Sequence, residues 1–395
     1  MRVLSFLAAL LFVPPLQADW RFAEPLSVSS AHGAAIFHHL ESANRLGVAV
    51  SAQTAAVVWE DNRSGTPHCY VAFRESSAKA FANEIQLSEQ SCYEPVVIGL
   101  GSGRFVAAWE EEGRVRARVV PGAAPASTLS GAEAGQATLA VGAGKIYAAW
   151  AEQAGRFRRI VVGHLALDES ALALDSVHPV EPREPLDEQA WPALAVAGDG
   201  SLAVVWEDRR HKHTVPMHSH SGDGKVFSPP ARLSEVPSGS VQGLGAGVGA
   251  MRPTLARWGA TGVAAAWLDK RDFLSGYDVY AGLSSDGGRS FGRNLMVQDS
   301  FGANMAQWHA QVVGNPEGRL LVVWDDERDG TADIWMSEWD GKEFSEDVAP
   351  RGAAGPGSQS DPVATLDDAG NLHLAWIERR DDGGTQIRYT SASPR

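Results

Sequence analysis

One short pattern, a tryptophan followed by acidic residues and an arginine, returns along the chain and constrains its fold more than any other feature. Four copies carry aspartate two positions after the tryptophan and arginine four positions after it. A fifth copy has glutamate in place of aspartate, and two more keep only the tryptophan and an acidic residue. The seven tryptophans are Trp59, Trp109, Trp150, Trp206, Trp267, Trp324 and Trp376. Repeats of this period are typical of solenoids, propellers or arrays.

Each repeat has the same internal order of short apolar runs and turns. An apolar run leads into a Gly-rich turn, as at 99–103, and a second run then ends in the tryptophan. After the acidic-arginine turn come a third run and a short fourth one. Short β-rich runs between Gly, Asn and Asp turns predict strands joined by hairpins, and no segment shows sustained helical periodicity. Four antiparallel strands per repeat predict one propeller blade each.

The ends of the chain predict how the ring closes. The seventh repeat supplies only three runs, at 362–365, 372–376 and 386–390, whereas the segment 22–28 near the N-terminus resembles a fourth strand without a repeat of its own. We therefore expect a seven-bladed all-β propeller in which the N-terminal strand completes the last blade. Closure would remove the open sheet edges. The alternative is a six-bladed propeller.

Composition and the N-terminus indicate an exported protein. A positive start, a short apolar run and a small residue at Ala18 form a signal peptide pattern, so we divide the chain into a signal peptide, residues 1–18, and one propeller domain, residues 19–395. We expect a periplasmic or secreted monomer without a membrane span, since no other run approaches the ~20 apolar residues that a span needs. The net charge of −14 argues against nucleic-acid binding, which needs a basic surface.

The two cysteines of the chain are predicted to form a disulfide. Cys69 opens the third strand of the first blade and Cys92 opens the first strand of the second, which places both on the same face in adjacent blades. An oxidising compartment favours their pairing, and two free thiols are the alternative.

One turn in the fifth repeat carries a recognisable motif. The sequence from Ser284 to Phe291, Ser-Ser-Asp-Gly-Gly-Arg-Ser-Phe, resembles the Asp box of the sialidase-like (BNR-repeat) propeller superfamily, with weaker echoes at 221–227 and 340–344. The resemblance implies a structural hairpin lock built on Ser284, Asp286, Gly288 and Phe291, on the face away from an active site. Sialidases have six blades and a Tyr–Glu nucleophile pair, whereas we count seven repeats and recognise no such pair here. The resemblance therefore predicts the fold and not a reaction.

The acidic-arginine turns and the blade-to-blade connections share one face of a propeller, which we call the long-loop face. Its longest connections run over 29–46, 235–252 and 299–308, and such segments on a rigid scaffold commonly carry function. The repeated turn favours a structural lock in which each arginine pairs with a carboxylate. The alternative is an anion-binding rim, with Arg210 and Arg271 the most available members. The candidate ligand-binding residues are Arg63, Arg210, Arg271, Arg328, Arg380 and Trp308.

Several histidines map to the same face and suggest a second kind of site. Imidazoles suit copper or zinc, although their spacing matches no defined metal motif. If they act together, His211 and His213 should meet the others in space. The candidate ligands are His32, His38, His39, His211, His213 and His309. Solvated loop histidines are the alternative, and no other cofactor is expected.

The sequence thus favours an exported binding scaffold for a glycan, a protein or a small anion. The alternatives are a sialidase-like glycoside hydrolase and a copper- or zinc-binding propeller. Catalysis would require carboxylates with perturbed pKa values, or a Tyr–Glu pair, at the central opening.

Overall fold

A computed structural model gives the fold over six stretches of the chain, residues 20–169, 171–211, 213–235, 249–271, 276–299 and 305–395. The proposed signal peptide, residues 1–18, lies outside these stretches, as do large parts of the connections 235–252 and 299–308.

The described residues form seven antiparallel sheets arranged as the blades of a propeller, which confirms the predicted fold. The N-terminal strands are β1 (Trp20–Phe22) and β2 (Leu26–Ser27). Blades 1 and 2 contain β3 (His38–His39), β4 (Val48–Ser51), β5 (Thr54–Asp61), β6 (His68–Glu75), β7 (Ile85–Gln86), β8 (Cys92–Gly101), β9 (Arg104–Glu111), β10 (Arg114–Val120) and β11 (Ser127–Thr128). Blades 3 and 4 contain β12 (Ala134–Gly142), β13 (Lys145–Ala154), β14 (Phe157–Asp168), β15 (Ala171–Pro179), β16 (Gln189–Val196), β17 (Leu202–Asp208), β18 (Val215–Ser221) and β19 (Ala231–Arg232). Blades 5, 6 and 7 contain β20 (Ala250–Trp258), β21 (Gly262–Asp269), β22 (Asp278–Ser284), β23 (Leu295–Met296), β24 (Trp308–Gly314), β25 (Leu320–Asp326), β26 (Asp333–Glu338), β27 (Gln359–Leu366), β28 (Leu372–Arg379) and β29 (Thr385–Pro394).

The helical content of the described residues is a single 3-10 turn at Ala43–Arg45. In blade 6 the fourth strand is reduced to a bridge between Met336 and Val348. Within the described stretches, no helix is long and apolar enough to cross a membrane.

The core lies between the blades, in seven clusters of buried side chains. Each cluster joins two neighbouring blades and contains one of the seven repeat tryptophans, all of them fully buried. The cluster around Trp59 unites blade 7 with blade 1, because it includes Ile387 and Tyr389 as well as Val57. Blades 7 and 1 are thus packed together in the same way as the other neighbouring blades, and the ring is closed.

Strand periodicity explains why the repeated pattern has its spacing. Residues two apart on a strand face the same side, so each indole N–H can reach the carboxylate two positions on. Trp206 Nε1 donates to Asp208 at 3.0 Å, and Trp324 Nε1 donates to Asp326 at 3.0 Å. The same bond forms in six of the seven blades, at distances of 2.8–3.2 Å. In blade 7 the buried Trp376 indole N–H has no partner among the described residues.

The N-terminal segment closes the ring as predicted. Its first strand, β1, pairs with the end of β29, where Trp20 lies opposite Pro394, and β2 pairs with β29 through Leu26 and Tyr389. The two cysteines form the predicted disulfide between blades 1 and 2, with the Cα atoms of Cys69 and Cys92 5.6 Å apart.

Candidate functional site

The innermost strands of six blades all bulge at the same level, just below the long-loop face. In each of them the pairing register with the second strand shifts across two residues, as between Met251 and Thr254 of β20. One residue at every bulge has a left-handed backbone, with φ between 51° and 56°. These residues are Glu94, Gln136, Trp191, Arg252, His309 and Asp361. Bulges of this kind re-aim side chains and are frequent beside active sites.

The local sequence explains these bulges. Four of the left-handed residues are followed by proline, as in Arg252-Pro253, and proline has no N–H to give to the ladder. The other two, Gln136 and His309, are followed by alanine. Glutamates that follow the repeat tryptophans cap two of the freed amides: Glu207 accepts from Arg252 N at 2.7 Å, and Glu60 accepts from Glu94 N at 3.3 Å. A left-handed backbone costs conformational energy in non-glycine residues, and residues strained in this way are concentrated at functional sites.

Blade 1 departs from this plan in a way that shapes the axial opening. Its innermost strand is split into β3 and β4, which both pair with β5, and the chain between them, residues 40–47, leaves the sheet. Asn44 at its tip reaches the opposite blades, where its Oδ1 accepts the amide of Leu255 at 2.7 Å. The sequence had assigned this segment to a blade-to-blade connection. In the structure, it is an insertion inside a strand that enters the axial channel.

The insertion and the bulges of blades 4, 5 and 6 enclose a cavity of about 250 Å³ at the axis. We call it the axial cavity. Its polar and aromatic walls are supplied by Glu41, Ser42, Asn44, Arg45, Trp191, Arg252, Trp308 and His309. The Arg252 guanidinium lies over the Trp191 ring, 3.4 Å from its centroid, and Glu41 pairs with Arg45 at 2.8 Å and with Arg252 at 3.0 Å.

His309 is held between two carboxylates at this cavity. Its Nδ1 lies 2.7 Å from Asp325 and its Nε2 lies 3.2 Å from Asp361. Burial opposes protonation of His309, but the charges of Asp325 and Asp361 outweigh it and raise its pKa. Burial also raises the pKa of Asp325.

A carboxyl group with a strongly perturbed pKa lies beside the cavity. Burial raises the pKa of Glu94 to about 8, and the charges of Glu110 and Glu41 act in the same direction. Its Oε2 is buried without a hydrogen-bond partner among the described residues. A carboxyl group in this state can donate a proton at neutral pH.

The exposed large aromatic side chains of the described residues all lie on the long-loop face. They are Phe37, Tyr93 and Trp308, each 39–43% exposed. Tyr93 and Trp308 immediately precede bulge residues, and the amide of Phe37 donates a hydrogen bond to Asn62 Oδ1 in the acidic-arginine turn at 2.9 Å. Trp308 also packs against Tyr277, with ring centroids 5.4 Å apart. Sequence reasoning selected Trp308 and missed the other two, together with the bulge residues apart from His309.

The five turn arginines are bound to groups of their own blades, or, for Arg210, also to Glu181 in the connection from the preceding blade. Arg210, expected to be among the most available, contacts Asp208 at 2.6 Å and also Glu181. Arg271, the other, donates to Asp269 at 2.6 Å and to Asn294 at 2.9 Å. The corresponding partners of the remaining three are Asp61 and Glu84 for Arg63, Asp326 and Asp347 for Arg328, and Asp382 and Gln386 for Arg380. This is the arrangement of a structural lock, and a ligand-binding role for these arginines stays a prediction.

The candidate metal-binding histidines do not share one position. Within the described residues, one group of at least three His, Cys, Asp or Glu side chains has ligand atoms within 4.8 Å of one another, namely Glu41, His309 and Asp361. None of the other five candidates, His32, His38, His39, His211 and His213, belongs to it. His38 is buried and bonded to Thr385 through its amide at 2.7 Å, whereas His32, His39 and His211 are exposed and His213 is partly buried. Metal binding by the predicted histidine set remains a prediction.

The motif turn at 284–291 is closed by its own side chains. The Ser284 hydroxyl lies 2.8 Å from Asp286 and accepts the amide of Gly288 at 2.9 Å, while Asp286 accepts the amide of Ser290 at 2.9 Å. Phe291 packs against the core between blades 4 and 5. The turn joins the outer strands β22 and β23, at the end of the blade opposite the long-loop face.

Comparisons with known proteins identify the fold and no family. No protein-family model matches the sequence, and no curated protein matches it. A Dyadobacter fermentans protein of unknown function is similar in structure, with TM-score 0.56, 11% identity, and coverage of 95% of this chain and 99% of that one. The polysaccharide lyase Uly1 is similar with TM-score 0.58, 9% identity, and coverage of 94% and 99%. The β-propeller domain of the Trilobed protease from Pyrococcus furiosus has TM-score 0.51, 11% identity, and coverage of 89% and 94%. At these identities the similarity concerns the propeller fold alone.

Proposed function

We propose that this protein is an exported propeller that binds a neutral saccharide at the axial cavity of its long-loop face. The observation that carries the proposal is the placement of Phe37, Tyr93 and Trp308, the exposed large aromatics of the described residues, on this one face. Trp308 lines the axial cavity itself, and the other two lie on the same face outside its lining. Exposed apolar groups rimmed by polar side chains mark ligand sites, and flat aromatic rings suit the apolar faces of sugars. Export is supported by the disulfide between Cys69 and Cys92.

The charges around the cavity favour a neutral ligand over an anion. Glu41, Asp361 and Asp325 face two arginines and one histidine, whereas Glu94, whose pKa burial and the surrounding carboxylates raise to about 8, is mainly protonated at neutral pH. The arginines are paired with carboxylates, so the cavity offers no excess of positive charge to a sialic acid or a sulfate. Its ionised carboxylates accept hydrogen bonds and suit sugar hydroxyl groups. A glycan ligand therefore agrees better with this cavity than the small anion that the sequence left open.

Binding to an oligosaccharide array tests the proposal. We expect the native protein to bind neutral oligosaccharides and Trp308→Ala or Tyr93→Ala to lose at least about tenfold in affinity, which corresponds to ~1.4 kcal/mol. The matched control is Val226→Ala, an exposed apolar residue in a turn at the opposite end of its blade. Native binding that survives both aromatic substitutions, or binding confined to sialylated and sulfated glycans, would remove the proposal.

A second candidate function, cleavage of the bound saccharide, is favoured by Glu94. A buried carboxyl group with a pKa of about 8 is suited to be a general acid at neutral pH. New reducing ends from a neutral polysaccharide, formed by water-dependent cleavage and absent with Glu94→Gln, would establish an enzyme. Binding without product would leave the scaffold function.

A distant relationship to sialidase-like propellers belongs to the same proposal. It is supported by the closed Ser284–Asp286–Gly288 turn, which fits a structural motif rather than a catalytic one. Sialidase activity does not follow from this relationship, because a carboxylate-rich cavity disfavours sialosides.

A further inference from the structure

We propose that Glu41, His309 and Asp361 form a zinc site at the axial cavity, which shares only His309 with the predicted set of loop histidines. The three side chains come from the insertion in blade 1 and from the bulges of blades 6 and 7. Their ligand atoms lie within 4.8 Å of one another. This inference does not depend on the saccharide proposal, because the metal would bind the free protein.

The distances fit a single ion. His309 Nε2 lies 3.2 Å from Asp361 Oδ1 and 4.0 Å from Glu41 Oε2. Two ligands bonded at about 2.0–2.2 Å to one tetrahedral ion are about 3.3–3.6 Å apart, so shifts of a few tenths of an ångström bring His309 to bonding separations from both carboxylates. One imidazole and two carboxylates, with a fourth position open, form a donor set that zinc accepts.

Two further groups point to a ligand at this place. Asp325 Oδ1 lies 2.7 Å from His309 Nδ1, which directs Nε2 toward Asp361 and matches the carboxylate–histidine–zinc arrangement of zinc proteins. The Ser42 hydroxyl is 2% exposed, lines the same cavity and has no hydrogen-bond partner in the described stretches. A buried hydroxyl without a partner is costly, and a water on the open zinc position would provide one.

Two arginines compete for the same carboxylates. Arg45 contacts Glu41 at 2.8 Å and lies 3.9 Å from Asp361, but it is also anchored on the carbonyl of Pro362 at 3.1 Å. Arg252 contacts Glu41 at 3.0 Å. Each carboxylate has about four lone-pair sites, so a metal can share these groups with the arginines, although the positive charges weaken its binding. Removal of the Arg252 charge should therefore strengthen it.

Isothermal titration of chelator-treated protein with Zn²⁺ at pH 7.5 tests the site. We expect one ion per chain, a loss of at least about tenfold in affinity for both His309→Gln and Glu41→Gln, and a gain of about threefold or more for Arg252→Gln. His211→Gln is the matched control and should bind as the native protein does. The visible absorption of bound Co²⁺ should show tetrahedral coordination and disappear with Glu41→Gln.

Three results would overturn the proposal. These are no Zn²⁺ uptake by the native protein, native-like uptake by a folded His309→Gln or Glu41→Gln variant, and loss of uptake with His211→Gln. Glu41→Gln keeps the test valid if His309→Gln does not fold, since Glu41 lies on the inserted segment outside the sheets. Saccharide binding is measured separately, with and without chelator, so either proposal can fail while the other stands.

Discussion

Removing one aspartate of the repeated lock, by Asp326→Ala, should destabilise the propeller by about 3–5 kcal/mol. Both oxygens of this buried side chain are used: Oδ2 accepts from Trp324 Nε1 at 3.0 Å and from Arg328 at 2.6 Å, and Oδ1 accepts the amide and Nε of Arg328 at 3.1 and 2.9 Å. A buried charge that loses its partner costs roughly 3–5 kcal/mol, and a buried donor without a partner roughly 1–3 kcal/mol. Asp347, 2.7 Å from Arg328, keeps part of the ion pair, which brings the sum down to the stated range.

Blade 7 provides the internal control for this experiment. Glu378 occupies the equivalent position, but the Trp376 indole N–H has no partner in the described residues, and Glu378 contacts the partly exposed Arg388 at 3.3 Å instead. Glu378→Gln should therefore cost less than about 1 kcal/mol, as surface ion pairs do. Urea unfolding followed by tryptophan fluorescence gives the free energy of unfolding of each variant from the midpoint and the slope of its transition.

The reasoning is refuted if Asp326→Ala unfolds within 1 kcal/mol of the native protein, or if Glu378→Gln costs as much as Asp326→Ala. Either result would mean that packing of the tryptophan, and not its hydrogen bond to the acidic residue, stabilises the blade.

Three further predictions concern closure, the disulfide and pH. Deleting residues 19–30 should lower the melting temperature steeply, since β1 and β2 complete the blade of β29; a truncated protein as stable as its parent would contradict ring closure. Replacing Cys69 and Cys92 by alanine should cost ~3 kcal/mol, because the bond closes a loop with a sequence separation of 23, and two alkylatable thiols in the non-reduced native protein would contradict the pairing. Burial lowers the pKa of His38 to about 4, so protonation favours the unfolded chain. The contribution of neutral His38 to the free energy of unfolding should be complete above pH 6.5 and should fall by up to about 3 kcal/mol as the pH drops toward 4. His38→Gln should therefore flatten the dependence of stability on pH between 6.5 and 4. An unchanged pH dependence would exclude His38 as its cause.

Much of the fold could be predicted because its signals are local and repeated. The spacing of Trp206, Asp208 and Arg210 follows from strand periodicity and from one short turn, so the same lock can be recognised wherever it recurs. The missing fourth strand of blade 7 and the unassigned strand near the N-terminus indicated ring closure. The disulfide followed from the positions of Cys69 and Cys92 in adjacent blades.

The candidate site was predicted less well, for physical reasons that differ between residues. His309 was selected as one of several histidines, but its carboxylate partners lie elsewhere in the chain. Asp325 is on the next strand of the same blade, and Asp361 is in the following blade. The insertion that carries Glu41 and Arg45 interrupts a strand, which in sequence cannot be distinguished from a connection between blades. The signal that could have located the bulges is the recurrence of a polar or aromatic residue before proline or alanine at the start of each innermost strand.

The sequence by itself determined the number of blades, most of their strands, the closure of the ring and the lock that recurs in most blades. These features depend on contacts between residues close in the chain, or on a pattern that repeats, and both can be read from spacing. Only the tertiary structure decided which side chains meet at the axis and which guanidinium groups are already paired. The axial cavity collects one bulge residue or inserted segment from each of several distant blades, and their distances, burial and pKa values exist only after the ring has closed around them.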